Sequence, residues 1–198
     1  MKYGRLLFGR LAPLVGVIFL LSTPAHADSL ADVMQELAQV LNAMEGNLIT
    51  RDGIDMNVTD WTSHRNSIEE RQRDYNDRVA THNSYCQGTF EEDEYNRRLA
   101  ECASMDSQLD TLFTQLEIEF DASDAQGREL QARETERANA YQQLDEHLGA
   151  LLPSLIGFCA TMTPDEQRAM CRLPPAPGPR TQSLVDELNS TFSGAFGQ

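Results

Sequence analysis

The chain has 198 residues, and all 31 of its acidic residues lie beyond position 27, leaving the part after Ala27 with 13 basic residues, every one an arginine, and a formal charge of about −18. Nucleic acids and anionic lipid surfaces reward clustered positive charge through counterion release, so both are excluded as main partners. The part after Ala27 is long enough for one domain with a real core and too short for two large ones.

The opening residues read as an export signal. Lys2, Arg5 and Arg10 precede or border an apolar stretch from Leu11 to Leu21, and Ala25-His26-Ala27 supplies the small-residue cleavage site. That stretch is shorter than the roughly 20 residues needed to span a bilayer. No cysteine directly follows the site, so a lipid anchor is not expected, nor is stable membrane insertion after cleavage. Export to the periplasm or beyond, with cleavage after Ala27, is the expectation.

The first expected helix runs from Ala31 to Ile49, with Val33, Leu37, Val40, Leu41, Met44 and Leu48 on its apolar face. The stretch from Thr50 to Asp60 is rich in turn formers and reads as a loop. Its Asp52, Asp55, Asn57, Thr59 and Asp60 offer oxygens, but their order lacks the positions an EF-hand requires, so no calcium site is expected. A second stripe comes next, with Trp61, Ile68 and Tyr75 seven apart, His82 next in step, and Val79 and Cys86 on the adjoining row. Gly88 can end this helix, and Thr89 with Glu92 can cap the next.

From Tyr95 the apolar positions step by four and three: Tyr95, Leu99, Cys102, Leu109, Phe113, Leu116 and Phe120, broken only by Asp106. Such a 3.5-residue repeat keeps one stripe facing a partner helix. Asp121 to Gly127 is polar and could restart a helix behind Ser123. Yet Tyr141, Leu144, Leu148, Leu151 and Leu155 hold the same heptad register, which favours one long, interrupted helix over two. The fold expected is therefore all-α: an elongated antiparallel helical hairpin, coiled-coil-like and stapled by disulfides. Glu69 with Arg73, and Glu134 with Arg137, are expected to form ordinary intrahelical pairs.

Pro153 and Gly157 are expected to loosen the run Leu148 to Phe158, and Thr163-Pro164-Asp165-Glu166 then starts a short, well-capped helix. The disulfide-bonded domain is taken as 28–172. Leu173 to Pro179 reads as an extended linker, and Leu184, Leu188, Phe192 and Phe196 behind it form an amphipathic tail that docks on the body, the whole segment being 173–198.

Four cysteines, Cys86, Cys102, Cys159 and Cys171, form an even count in a chain expected in an oxidising compartment, which implies two bridges. Three connectivities are open. Neighbouring pairs, Cys86 with Cys102 and Cys159 with Cys171, are favoured over Cys86 with Cys159 and Cys102 with Cys171. They require the long helix to begin near Tyr95, because a start at Thr89 puts Cys102 about 20 Å down the axis.

Little points to chemistry. Neither a C-x-x-C pair nor the nucleophile elbow, phosphate loop, dinucleotide fingerprint or zinc-protease motif occurs. His82 and Cys86 share a helix face at metal-ligand spacing, but two ligands do not make a site and an oxidised cysteine offers no thiolate. His64 and His147 read as solvated surface residues. No catalytic, cofactor or metal role is assigned. The seam residues and a protein partner, either a second copy or another envelope protein, carry the functional expectation: an exported, non-catalytic structural or interaction protein of the bacterial cell envelope. The alternative is a periplasmic binding or chaperone-like protein whose acidic face captures basic or unfolded clients.

Overall fold

A computed structural model describes residues 29–195, and the expected signal peptide and Phe196 lie outside them. Four helices come in order: α1 (Leu30–Cys86), α2 (Glu92–Ala160), α3 (Pro164–Met170) and α4 (Gln182–Ala195), with no strand among the described residues. At 1.5 Å per residue, the 57 residues of α1 run about 86 Å and the 69 of α2 about 104 Å. The two pair antiparallel along their length, as a helical hairpin closed by residues 87–91. No helix of the described residues is long and apolar enough to cross a membrane.

α1 starts where Ser29 can cap it, its hydroxyl accepting from the Asp32 N–H while Asp32 supplies negative charge to the first turn. The expected loop from Thr50 to Asp60 does not exist; the helix runs straight through it. The residue types that suggested turns satisfy themselves on the helix instead. The hydroxyls of Thr50, Thr59, Thr62 and Ser63 each donate to the carbonyl four residues back. Ile54 is buried in the middle of the segment, and that contact with α2 outweighs the weak helix propensity around it.

α2 is likewise continuous across the polar stretch 121–127 and past Pro153. The expected interruption is absent because the core side of the helix is pinned at both places. Ser123 is buried near the middle, and Leu151, Leu155 and Cys159 are buried around the proline, which itself stands exposed.

The core lies at the end of the hairpin remote from the connecting loop. Val33, Leu37, Val40, Leu41 and Met44 of α1 meet Leu148, Leu151, Leu155 and Cys159 of α2, and Cys171, Leu173, Val185 and Phe192 close over them. α3 begins with a full capping box between Thr163 and Glu166 and a proline in its first turn, as its sequence predicts. Leu173 is buried, and its N–H donates to Asn189 Oδ1 at 3.0 Å, so the Pro-rich segment packs rather than spaces. The molecule is thus a four-helix head from which a two-helix stalk extends.

Candidate functional site: the hairpin seam and its closing tip

Both disulfides join neighbouring cysteines, Cys86 to Cys102 with Cα atoms 6.0 Å apart and Cys159 to Cys171 with Cα atoms 5.9 Å apart. The first sets the register of the stalk. Cys86 is the last residue of α1, so the ten residues of α2 before Cys102, about 15 Å of helix, run on beyond α1. The spacing of this pair predicts a short turn and a helix beginning near Tyr95. α2 begins at Glu92, three residues earlier, and residues 87–91 bridge from the end of α1 to its start.

Arg98 holds that overhang. Its guanidinium donates to the Tyr85 carbonyl at 2.9 Å, pairs with Glu94 at 2.8 Å, and lies over the rings of Tyr85 and Phe90. Tyr85 donates its hydroxyl to Glu101, whose accepting charge, followed by burial, raises the phenol above its ordinary pKa. A Cβ at Gly88 would sit 2.7 Å from Cζ of Phe90, so a larger residue there would displace that ring.

Along the stalk the predicted seam residues divide. Ile68 is fully buried and Leu116 nearly so, while Leu109 and Tyr75 are half-buried. Tyr75 meets Phe113 across the seam with ring centroids 6.0 Å apart. Phe120 carries the Arg65 guanidinium 4.5 Å above its ring, and Arg65 also pairs with Asp124. Trp61 donates from Nε1 to the Ser123 carbonyl at 2.8 Å. Nearer the head, Leu148 is buried and Tyr141 and Leu144 pack against the core. Tyr95 and Leu99 are 52% and 56% exposed because α1 has already ended opposite them. Phe113, despite its mid-seam position, keeps 46% of its surface open.

Polar groups missed by periodicity also cross-link the helices. Asn47 donates to the Arg137 carbonyl and accepts from its guanidinium, and Arg137 is clamped by Glu134 on its own helix. That hydrogen bond, with Arg137's charge, holds Glu134 below its ordinary pKa despite some burial. Glu69 pairs with Arg65 rather than the expected Arg73. His147 is not a solvated surface residue: its Nε2 lies 2.8 Å from Glu36 across the seam. His82 Nε2 lies 3.1 Å from Asp106 Oδ1, so the break in the α2 stripe faces a histidine. Only His64 of the three is exposed.

At the head, Glu45 of α1 is buried and its carboxylate receives the Thr181 N–H at 2.9 Å and the Thr181 hydroxyl at 3.0 Å, just before α4 begins. Arg180 adds its own N–H to Glu45 and reaches Asp52 with its guanidinium at 2.6 Å. Burial pushes the Glu45 carboxyl up, but these hydrogen bonds and the Arg180 charge outweigh it and hold the group below its ordinary value. No sequence motif marks a carboxylate from a helix interior that serves another helix's start.

An open surface depression is lined from a single helix by residues such as Ala103, Asp106 and Asp110. No protein-family model matches this chain, and no curated protein or solved structure does either.

Proposed function

We propose that the chain is an exported, non-catalytic helical protein of the bacterial cell envelope, in which a stapled head carries a rigid stalk that engages another protein. The observation that carries this reading is the distribution of apolar surface. Met56, Val58, Tyr95, Leu99, Phe113 and Ile118 stand open on the stalk, whereas the head buries a contiguous core and leaves Ile49, Ile156 and Met170 open. Open aromatic and aliphatic side chains on an otherwise acidic, elongated surface suit a protein partner. Two disulfides support an oxidising compartment, in keeping with the export signal expected from the sequence. The acidic balance speaks against nucleic acid. Carboxylates that face arginines and histidines along a helix pair, without an enclosing cleft, support a non-catalytic role.

The test is site-specific photo-crosslinking in the protein's own cells, with the crosslinker placed in turn at Tyr95, Phe113, Ile118 and, on the head, Ile156. One dominant envelope protein, or a second copy of the chain, should be trapped from the stalk positions and not from the head. The exported form should begin at Asp28 by mass. An uncleaved cytosolic product, or no adduct at any stalk position, overturns the reading. Many unrelated adducts, joined by suppression of client aggregation at near-equimolar ratio, would favour the chaperone-like alternative.

A further inference from the structure

We infer that the tip of the hairpin is a redox-gated binding site for a thiophilic divalent metal of the zinc class, assembled when the Cys86–Cys102 disulfide is reduced. The inference stands apart from the interaction reading and rests on four side chains. His82 and Cys86 are four residues apart on α1, and Cys102 and Asp106 are four apart on α2. Side chains at that spacing share a helix face. The antiparallel register then sets the two pairs opposite one another, cysteine against cysteine and histidine against aspartate.

Three of the four side chains stand within reach of one tetrahedral ion, and the Asp106 carboxylate, which lies outside that gathering, would have to turn in to complete it. His82 nitrogen and the two sulfurs all lie within 4.8 Å of one another, the only such gathering of histidine, cysteine and acidic groups among the described residues. Ligand bonds of about 2.0–2.1 Å to nitrogen and oxygen make the tetrahedral N···O edge about 3.3 Å. His82 Nε2 and Asp106 Oδ1 stand 3.1 Å apart. Yet Nε2 is buried and has no hydrogen-bond partner, so this contact lacks the angle of a hydrogen bond. A buried imidazole nitrogen without a hydrogen bond, on a side chain gathered with two sulfurs, can offer its lone pair to a metal. Two thiolates with an imidazole and a carboxylate form a donor set that selects zinc-like ions over calcium or magnesium.

The disulfide is the gate, because sulfurs bonded to each other have no thiolate to offer. Both cysteines are partly exposed, so a small dithiol reductant can reach them. A reductant thiolate attacks one protein sulfur, the S–S bond breaks, and the second reductant sulfur resolves the mixed disulfide. The reductant leaves as its own disulfide, having supplied two electrons and two protons, and Cys86 and Cys102 remain as thiols. The metal then displaces both thiol protons to solvent and forms two metal–sulfur bonds. A cross-link closes the stalk in either state, as sulfur–sulfur or as sulfur–metal–sulfur.

The test uses the mature chain carrying Cys159→Ser and Cys171→Ser, reduced with dithiothreitol, freed of reductant without air, and titrated with Co2+. One equivalent should bind with the visible bands of tetrahedral cobalt and thiolate-to-cobalt charge transfer, and Zn2+ should displace it. The oxidised protein should show neither signal. His82→Ala and Asp106→Asn should each weaken cobalt binding at least about tenfold with helicity unchanged. Absence of the thiolate signal in the reduced protein, or unaltered affinity in His82→Ala, overturns the proposal. Should the double-serine chain not fold, alkylation of the reduced wild-type chain decides: Zn2+ should slow modification of the partly exposed Cys86 and Cys102 relative to the same reduced chain without metal. Alkylation of Cys86 and Cys102 at the same rate with and without Zn2+ refutes the site.

Discussion

The indole of Trp61 lies so close to Gly127 that a Cβ on the glycine would sit 2.9 Å from Cζ2 and 3.2 Å from Cε2. The ring cannot swing away freely, because its Nε1 is held by the Ser123 carbonyl one turn earlier on α2. Two opposed effects meet in Gly127→Ala. Helix propensity favours alanine by about 1 kcal/mol. Overpacking costs about 1–3 kcal/mol. The expected net is a loss of up to about 2 kcal/mol in urea denaturation, and in a Trp61→Phe background the loss should shrink or reverse. A stabilised Gly127→Ala single variant would show that the helices separate here at little cost.

Ile68 and Phe113 sit on the same predicted seam but should respond differently to truncation. Ile68 is fully buried, so Ile68→Ala should cost about 2–5 kcal/mol. Phe113 is nearly half open, so Phe113→Ala should cost clearly less than Ile68→Ala in the same denaturation series. Phe113→Asp should retain helicity and solution size while losing the crosslinked partner. Collapse of helicity in Phe113→Asp would assign that ring to folding instead.

The apolar period made the helix pair legible, and the 3.5-residue register carried the continuity of α2 across residues 121–127. The seam was legible where α1 and α2 overlap, at Ile68, Leu116 and Leu148. It was not legible at Tyr95 and Leu99, because an apolar stripe records what a helix could cover, not where its partner stops. The segment 50–60 was misread for a related reason. Threonine and aspartate favour turns in isolation, but a buried Ile54 and backbone-bonded hydroxyls decide the matter in context. Glu45 and Thr181 are 136 residues apart, and their contact has no periodic trace.

The two disulfides close intervals of 16 and 12 residues, so chain entropy alone separates their contributions by only about 0.3 kcal/mol around a common value near 3 kcal/mol. Their structural settings differ far more. Cys86–Cys102 closes a thin stalk, whereas Cys159–Cys171 is buried in the core beside Leu155, Leu173 and Phe192. Replacing both members of the head pair with serine should therefore lower the melting temperature more than the same change at the tip. Amide exchange should rise locally near residues 82–105 in the tip variant, and in α3 and α4 in the head variant. Equal melting temperatures and a uniform rise in exchange would mean that head and stalk unfold as one unit.

Glu45 makes the docking of α4 depend on pH. Folded, its carboxyl holds a proton less tightly than an unfolded glutamate, because Thr181 and Arg180 hydrogen-bond the charged form. The stabilisation is therefore complete above the unfolded value of roughly 4.3 and fades as pH falls through the lower folded one. Glu45→Gln keeps the shape but removes the charge that Arg180 and the start of α4 face. Amide exchange across residues 182–195 should rise about tenfold at neutral pH in this variant, and its acid dependence between pH 5 and roughly pH 3 should flatten. Gly178→Ala should loosen the same element by another route, since its Cβ would collide with the Glu45 carboxylate and lie 2.9 Å from its Cγ. In both variants exchange along residues 61–86 should stay at the parent rate, because those contacts lie on the stalk. If α4 exchanges at the parent rate in Glu45→Gln, the apolar contacts of Val185 and Phe192 hold the tail without the carboxylate, and the acid dependence must come from another group.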